Sequence, residues 1–192
     1  MKWGLGCIGV IVVVIVIAAL VIGGGYVSAR NQMVTLNEQV KSNWAQVDVV
    51  LQRRADLIPN LVSTVKGFAA HEETVFGDIA NARAALMGAT TPAAKIAANG
   101  MLDGALVRLL AIKENYPDLK SNENFLRLQD ELTGTENRIA VSRRDYNLAI
   151  QKYNTDVELF PKNLAASVFG FKRDDAYFKT TDEEKKVPQV KF

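Results

Sequence analysis

The residues that could do chemistry are few. There is one histidine, His71, and one cysteine, Cys7. His71-Glu72 opens like a zinc-protease helix, but the second histidine of H-E-x-x-H would fall at position 75, which is Val75. A di-iron bundle needs Glu-x-x-His on two helices, and the residue three before His71 is Phe68. A nucleophilic triad fails as well, because His71 has no obvious serine partner. A lone cysteine excludes an intramolecular disulfide and any cysteine-built zinc site. No glycine-rich loop precedes a Lys-Ser or Lys-Thr pair. The sequence therefore gives no catalytic, metal or cofactor-binding residue, and the chain reads as a non-enzyme.

Charged residues standing in otherwise apolar rows are what remains. Phe125, Leu132, Ile139, Tyr146, Tyr153 and Phe160 recur at every seventh position, the mark of a bundle or coiled-coil seam. Gln129, Glu136 and Arg143 hold the second position of successive heptads, where Ile150 and Val157 follow. Glu72 and Arg83 sit likewise among apolar neighbours. One reading is an ionic layer that fixes helix register, and the other is a polar slot able to take a ligand or a substrate. Arg53-Arg54-Ala55-Asp56 beside Pro59-Asn60 is the densest polar cluster. Read locally, Asp56 caps a helix, the arginines pair with it or with terminal carbonyls, and Asn60 satisfies a turn. Read functionally, it is a partner-binding corner.

The elements that must position these groups fall into two kinds. Leu5 to Ile22 carries no charge, and its length as a helix is about 27 Å against a hydrocarbon core of ~30 Å. Trp3 and Tyr26 flank it at the depth aromatic rings prefer. A retained transmembrane helix is expected. A cleaved signal peptide is the alternative, since Val27-Ser28-Ala29 has the pattern of a cleavage site and Lys2 supplies a minimal positive flank. Cys7 precedes the apolar run rather than following it, which argues against lipid attachment. Positive charge is nearly tied across the run, Lys2 and the amino terminus against Arg30 and Lys41. It tips towards an inner-membrane protein with its bundle outside the cytoplasm.

Past the hinge Gly23-Gly24-Gly25 the period is helical. Val40, Trp44, Val47 and Leu51 trace one stripe, and Ile58, Val62, Val65, Ala69, Phe76, Ile79 and Leu86 another. Pro59 lies between them. A chain reversal at residues 54–58 is expected, with one long kinked helix as the competing reading. Thr91-Pro92 starts a third helix, whose Ala93, Ala97, Gly100 and Gly104 predict a closely approaching neighbour, and Asn115-Tyr116-Pro117-Asp118 ends it. Ser121 opens the longest helix, which Phe160-Pro161 closes. The aromatic tail, with Phe169, Phe171, Phe178 and Phe192 as its contacts, should dock on the bundle or a partner. The predicted class is all-α: a flank at 1–4, a span at 5–22, a hinge at 23–29, an antiparallel up-and-down four-helix bundle at 30–161, and an irregular tail at 162–192.

Several blocks of this sequence resemble the LemA family: Asn43-Trp44-Ala45-Gln46-Val47-Asp48, the run from Gln52 to Val62, Val65-Lys66-Gly67 with His71-Glu72, Ala82-Arg83, Tyr153-Asn154, Phe160-Pro161 and Val187-Pro188-Gln189-Val190-Lys191-Phe192. The resemblance covers essentially the whole chain. It implies an N-terminal membrane helix with a four-helix bundle, and it implies no activity and no site residues. With 23 basic against 21 acidic residues there is no basic excess for nucleic acid. The expected partners are the bilayer, further copies of the chain, and other membrane or envelope proteins. The expected role is a non-enzymatic scaffold or interaction module, with a ligand or catalytic slot and a membrane-shaping protein as alternatives.

Overall fold

The computed structural model describes residues 2–179, without the side chains of residues 2–8 and 10. The side chains of Lys2, Trp3 and Cys7, the tail contact Phe192 and the charged run from Asp182 to Lys186 lie outside the described residues. Among those described, every regular element is helical: α1 (Lys2–Lys66), α2 (Glu73–Gly88), α3 (Pro92–Ile112), α4 (Pro117–Lys120), α5 (Glu123–Glu158) and α6 (Lys162–Phe169).

The expected reversal at residues 54–58 does not occur, because α1 continues for 65 residues with Pro59 inside it. Its buried stripe explains why. Met33, Leu36, Val40, Val47, Leu51, Ala55, Ile58, Leu61 and Val65 are all buried, and the step of three or four residues never breaks at Pro59. A turn there would throw half of that stripe out of phase. Pro59 itself is exposed, so its ring displaces no core side chain. The glycines Gly23, Gly24 and Gly25 also stay helical, and a Cβ on any of them would meet no atom. Helical backbone is the low-energy state beside a bilayer, where unpaired N–H and C=O groups are costly.

One helix among the described residues is long and apolar enough to cross a membrane, and it is α1. From Ile11 to Val16 every side chain is more than half exposed, as are Ile17, Leu20, Val21 and Ile22. So large an uncovered apolar surface needs an apolar solvent.

Two compact units divide the chain. One joins residues up to Lys41 with Leu148–Asp175, and the other joins Ser42–Asn147 with Ala176 onward. In the second unit α2 packs on α3. Thr91 caps α3 as its sequence predicts, with its hydroxyl accepting from the Ala94 N–H at 3.2 Å. The close approach predicted for Gly100 and Gly104 is absent: both are exposed, and a Cβ there would meet nothing. The face of α3 that is buried is instead Ala98, Leu102, Ala105, Leu109 and Ile112. Leucine and isoleucine remove far more apolar area from water than glycine and alanine, so the larger residues set the rotation of the helix.

α5 starts two residues past Ser121, with Asn122 accepting from the Phe125 N–H at 3.0 Å. It is the second-longest helix, after α1. Five of the six heptad residues are buried, and the sixth, Phe160, is 78 % exposed because the helix has ended at Glu158. The second buried row also differs from expectation. Leu128 and Thr135 fill it early, and Ile150 and Val157 fill it late. Glu136 and Arg143 are thereby left half-buried at its edge.

Candidate functional site

Arg54 is the centre of the polar layer. The sequence Leu51, Arg54, Ile58, Leu61, Val65 steps by three and four, so Arg54 occupies a seam position of α1. Its residue exposure is 7 %. A buried guanidinium must find acceptors, and three come from other helices. It donates to Asn99 Oδ1 at 3.1 Å, pairs at short range with Asp103, and lies 3.2 Å from Glu136 Oε2. Asn99 in turn donates to Asp103 Oδ2 at 2.9 Å, and Arg143 reaches the same oxygen at 3.4 Å. Two arginines and two carboxylates alternate, so the layer is close to neutral.

The pairing is incomplete. Glu136 Oε2 and Arg143 Nε are buried without an aligned hydrogen-bond partner. The two residues line a cleft of about 360 Å³ whose apolar wall includes Leu106, Leu110 and Leu132. Among the described residues no group of three His, Cys, Asp or Glu side chains is placed to hold a metal ion.

The polar corner read from the sequence does not form, because the helix runs straight through it. Arg53 points to solvent, Asp56 accepts from Gln52 at 3.0 Å along the helix surface, and Asn60 is exposed with its carbonyl taken by Thr64 at 2.9 Å. Glu72 and Arg83 are not part of the layer either. Glu72 precedes α2 and accepts from the Tyr116 hydroxyl at 3.3 Å. Arg83 has a different task. Pro59 has no N–H, which leaves the Ala55 carbonyl without its helical donor. Arg83 Nε donates to that oxygen at 2.9 Å. A guanidinium from α2 thus replaces the hydrogen bond that proline removes from α1.

The tail docks through asparagines on α5. Asn147 donates to the Phe178 carbonyl at 2.8 Å and accepts from its N–H at 3.0 Å. Within the other unit Asn154 holds Asp174 the same way, at 2.7 and 2.9 Å, and Tyr153 donates to the Lys172 carbonyl at 2.9 Å. Burial, and then the Asp174 carboxylate, pushes the Tyr153 phenol pKa up. The Phe178 ring lies 6.3 Å from Trp44 and 6.0 Å from Tyr146, with the Arg143 guanidinium 5.1 Å above it. Phe171 is half-buried, and Phe169 lies under Arg30 at 5.7 Å.

Sequence reasoning missed Asn99 and Asp103, which sit four apart on α3. The signal available was Arg54 in the seam, since a buried cation demands an anion somewhere opposite.

Residues 43–192 match the LemA family. The chain belongs to that family. Among curated relatives it is similar to Magnetosome protein MamQ 2 of Paramagnetospirillum magneticum, 31 % identical over 174 residues covering 77 % of this chain and 64 % of that protein. It is similar also to Magnetosome protein MamQ of Magnetospirillum gryphiswaldense, 29 % identical with 74 % and 62 % covered. Protein LemA of Metamycoplasma hominis is 21 % identical, with 73 % and 65 % covered. The chain therefore spans less than two thirds of the length of these relatives. The Arg54 to Asn60 block and Arg83 lie inside the LemA-matched stretch, as does all of the polar layer.

Proposed function

We propose that this LemA-family chain is a non-enzymatic, membrane-anchored interaction module, whose helical body self-associates or holds other membrane or envelope proteins. The observation that carries the reading is α1: one helix provides the apolar run and continues into the buried stripe of the body. The family and the magnetosome proteins among its relatives support membrane association. An antiparallel up-and-down four-helix arrangement of the body, and a body outside the cytoplasm, belong to the same proposal. A photoreactive residue at Val107, which is 70 % exposed on α3, tests it in membranes holding the full chain. Covalent dimers or a discrete heterologous adduct are the expected result, and monomer alone after irradiation would overturn it.

One observation favours a second reading, a ligand slot in the cleft that Glu136 and Arg143 line together with Arg54 and Asp103. Replacing both by apolar residues discriminates. A register-fixing layer tolerates the change with stability near or above its start. A slot loses its function.

A further inference from the structure

We propose that α6 is a second membrane contact, an apolar shoulder that lies in the headgroup region of the bilayer that α1 enters. It rests on anchoring by the apolar run of α1, and goes beyond the interaction role above.

The placement comes from one groove. Pro161, Lys162 and Ala165 line it together with Ile22, Gly25 and Tyr26 of α1. Ile22 is the last residue of the strongly apolar run, the next charge after it is Arg30, and Arg30 of α1 sits over the Phe169 ring at the other end of α6. From Ile22 to Arg30 a helix rises about 12 Å. Interfacial helices bury their apolar faces ~5–10 Å into the boundary between headgroups and acyl chains. α6 therefore stands at the depth such helices occupy.

Its composition fits that depth and no aqueous one. Ala165 and Ala166 are buried against the protein, yet the opposite side is also apolar: Leu164 is 48 % exposed and Val168 69 %, with Phe160 at 78 % just ahead of them. A helix apolar on both sides needs a second apolar partner. Two neighbouring charges are neutralised, Lys162 by Asp156 at 2.8 Å and Arg173 by Glu158 at 2.7 Å, while Arg30 rests on the Phe169 ring. A lipid surface is the occupant that this apolar face and these mostly paired charges fit.

The test uses the full chain in phosphatidylcholine vesicles, in a Cys7→Ser background. An environment-sensitive dye is placed at Val168→Cys, at Leu164→Cys or, as the reference, at Lys41→Cys. Lys41 is exposed and lies about 28 Å along α1 from Ile22. Nitroxide lipids labelled at the headgroup should quench the first two positions at least threefold more than the third. Equal quenching at all three overturns the shoulder. So does dye that is shielded from water yet unquenched by lipid and sensitive to the protein-to-lipid ratio, which would mark a second copy on this face. Failure of the whole chain to stay with the vesicles would instead sink the anchoring, a result distinguishable by flotation alone.

Discussion

At the residue scale, buried polar groups in this chain are settled by donors and acceptors brought from elsewhere in the fold. Arg54 takes a seam position that leucine would fill more cheaply, and it is tolerated because Asn99, Asp103 and Glu136 converge on it. Tyr153 shows the same logic with a titratable group. Its hydroxyl is held by the Lys172 carbonyl, and burial together with the Asp174 carboxylate disfavours the phenolate. The folded-state pKa is thus raised above the unfolded value of ~10. The stabilisation is fully present below that unfolded value and is lost as pH rises through the folded one, because the unfolded chain releases its proton first. Tyr153→Phe should therefore cost about 1 kcal/mol at neutral pH, the usual net worth of one hydrogen bond. Denaturant unfolding of the detergent-solubilised chain should show the gap between wild type and variant narrowing above pH 10. A gap constant across that range would mean the phenol is not held in its neutral form.

At the element scale the decisive object is α1, and its continuity depends on one distant side chain. A proline inside a helix costs ~3 kcal/mol, part of it from the carbonyl left without a donor. Arg83 supplies that donor to Ala55, so its worth should depend on whether Pro59 is present. Arg83→Met in the wild-type chain should cost about 1–3 kcal/mol, the penalty of an unpaired buried carbonyl. In a Pro59→Ala chain the backbone N–H of residue 59 takes the carbonyl, and the same Arg83→Met change should cost about 1 kcal/mol less. Equal costs in the two backgrounds would reject the replacement. This coupling also marks what the sequence could and could not disclose. The uncharged run, the Thr91-Pro92 start and the seam from Phe125 to Tyr153 are local patterns, and each is legible because its cause lies within a few residues. The passage of α1 through Pro59 was legible only as the competing reading, through the unbroken apolar stripe, since proline announces a break locally while the compensating guanidinium lies on another helix. Gly100 and Gly104 misled for a related reason: small residues permit a close approach, but the larger Leu102 and Leu109 decide which face turns inward. The polar neighbours Arg53 and Asp56 make Arg54 look like part of a corner, although its spacing from Leu51 and Ile58 places it in the core.

At the scale of the whole molecule, two separate apolar surfaces govern where the chain resides. The stripe that begins at Met33 is covered by protein, whereas the side chains from Ile11 to Ile22 are not, and α1 passes from one environment to the other without a break. Water cannot be the solvent for the uncovered part, so the chain should behave as an integral membrane protein. Val14 and Ile17 lie near the middle of the uncharged run and are 58 % and 55 % exposed. An arginine at mid-span costs roughly 2.5–3.5 kcal/mol in insertion, so Val14→Arg with Ile17→Arg should impose about twice that. After an alkaline carbonate wash the wild-type chain should remain in the membrane pellet, and the double variant should move into the supernatant. The N-terminal residue of the pelleted protein separates anchoring from processing. A start at Met1 fits a retained span, and a start close to Arg30 would identify the run as a removed signal. Wild-type protein in the supernatant, still beginning at Met1, would overturn the anchor and with it the interfacial placement of α6, because both depend on lipid covering what the protein leaves bare.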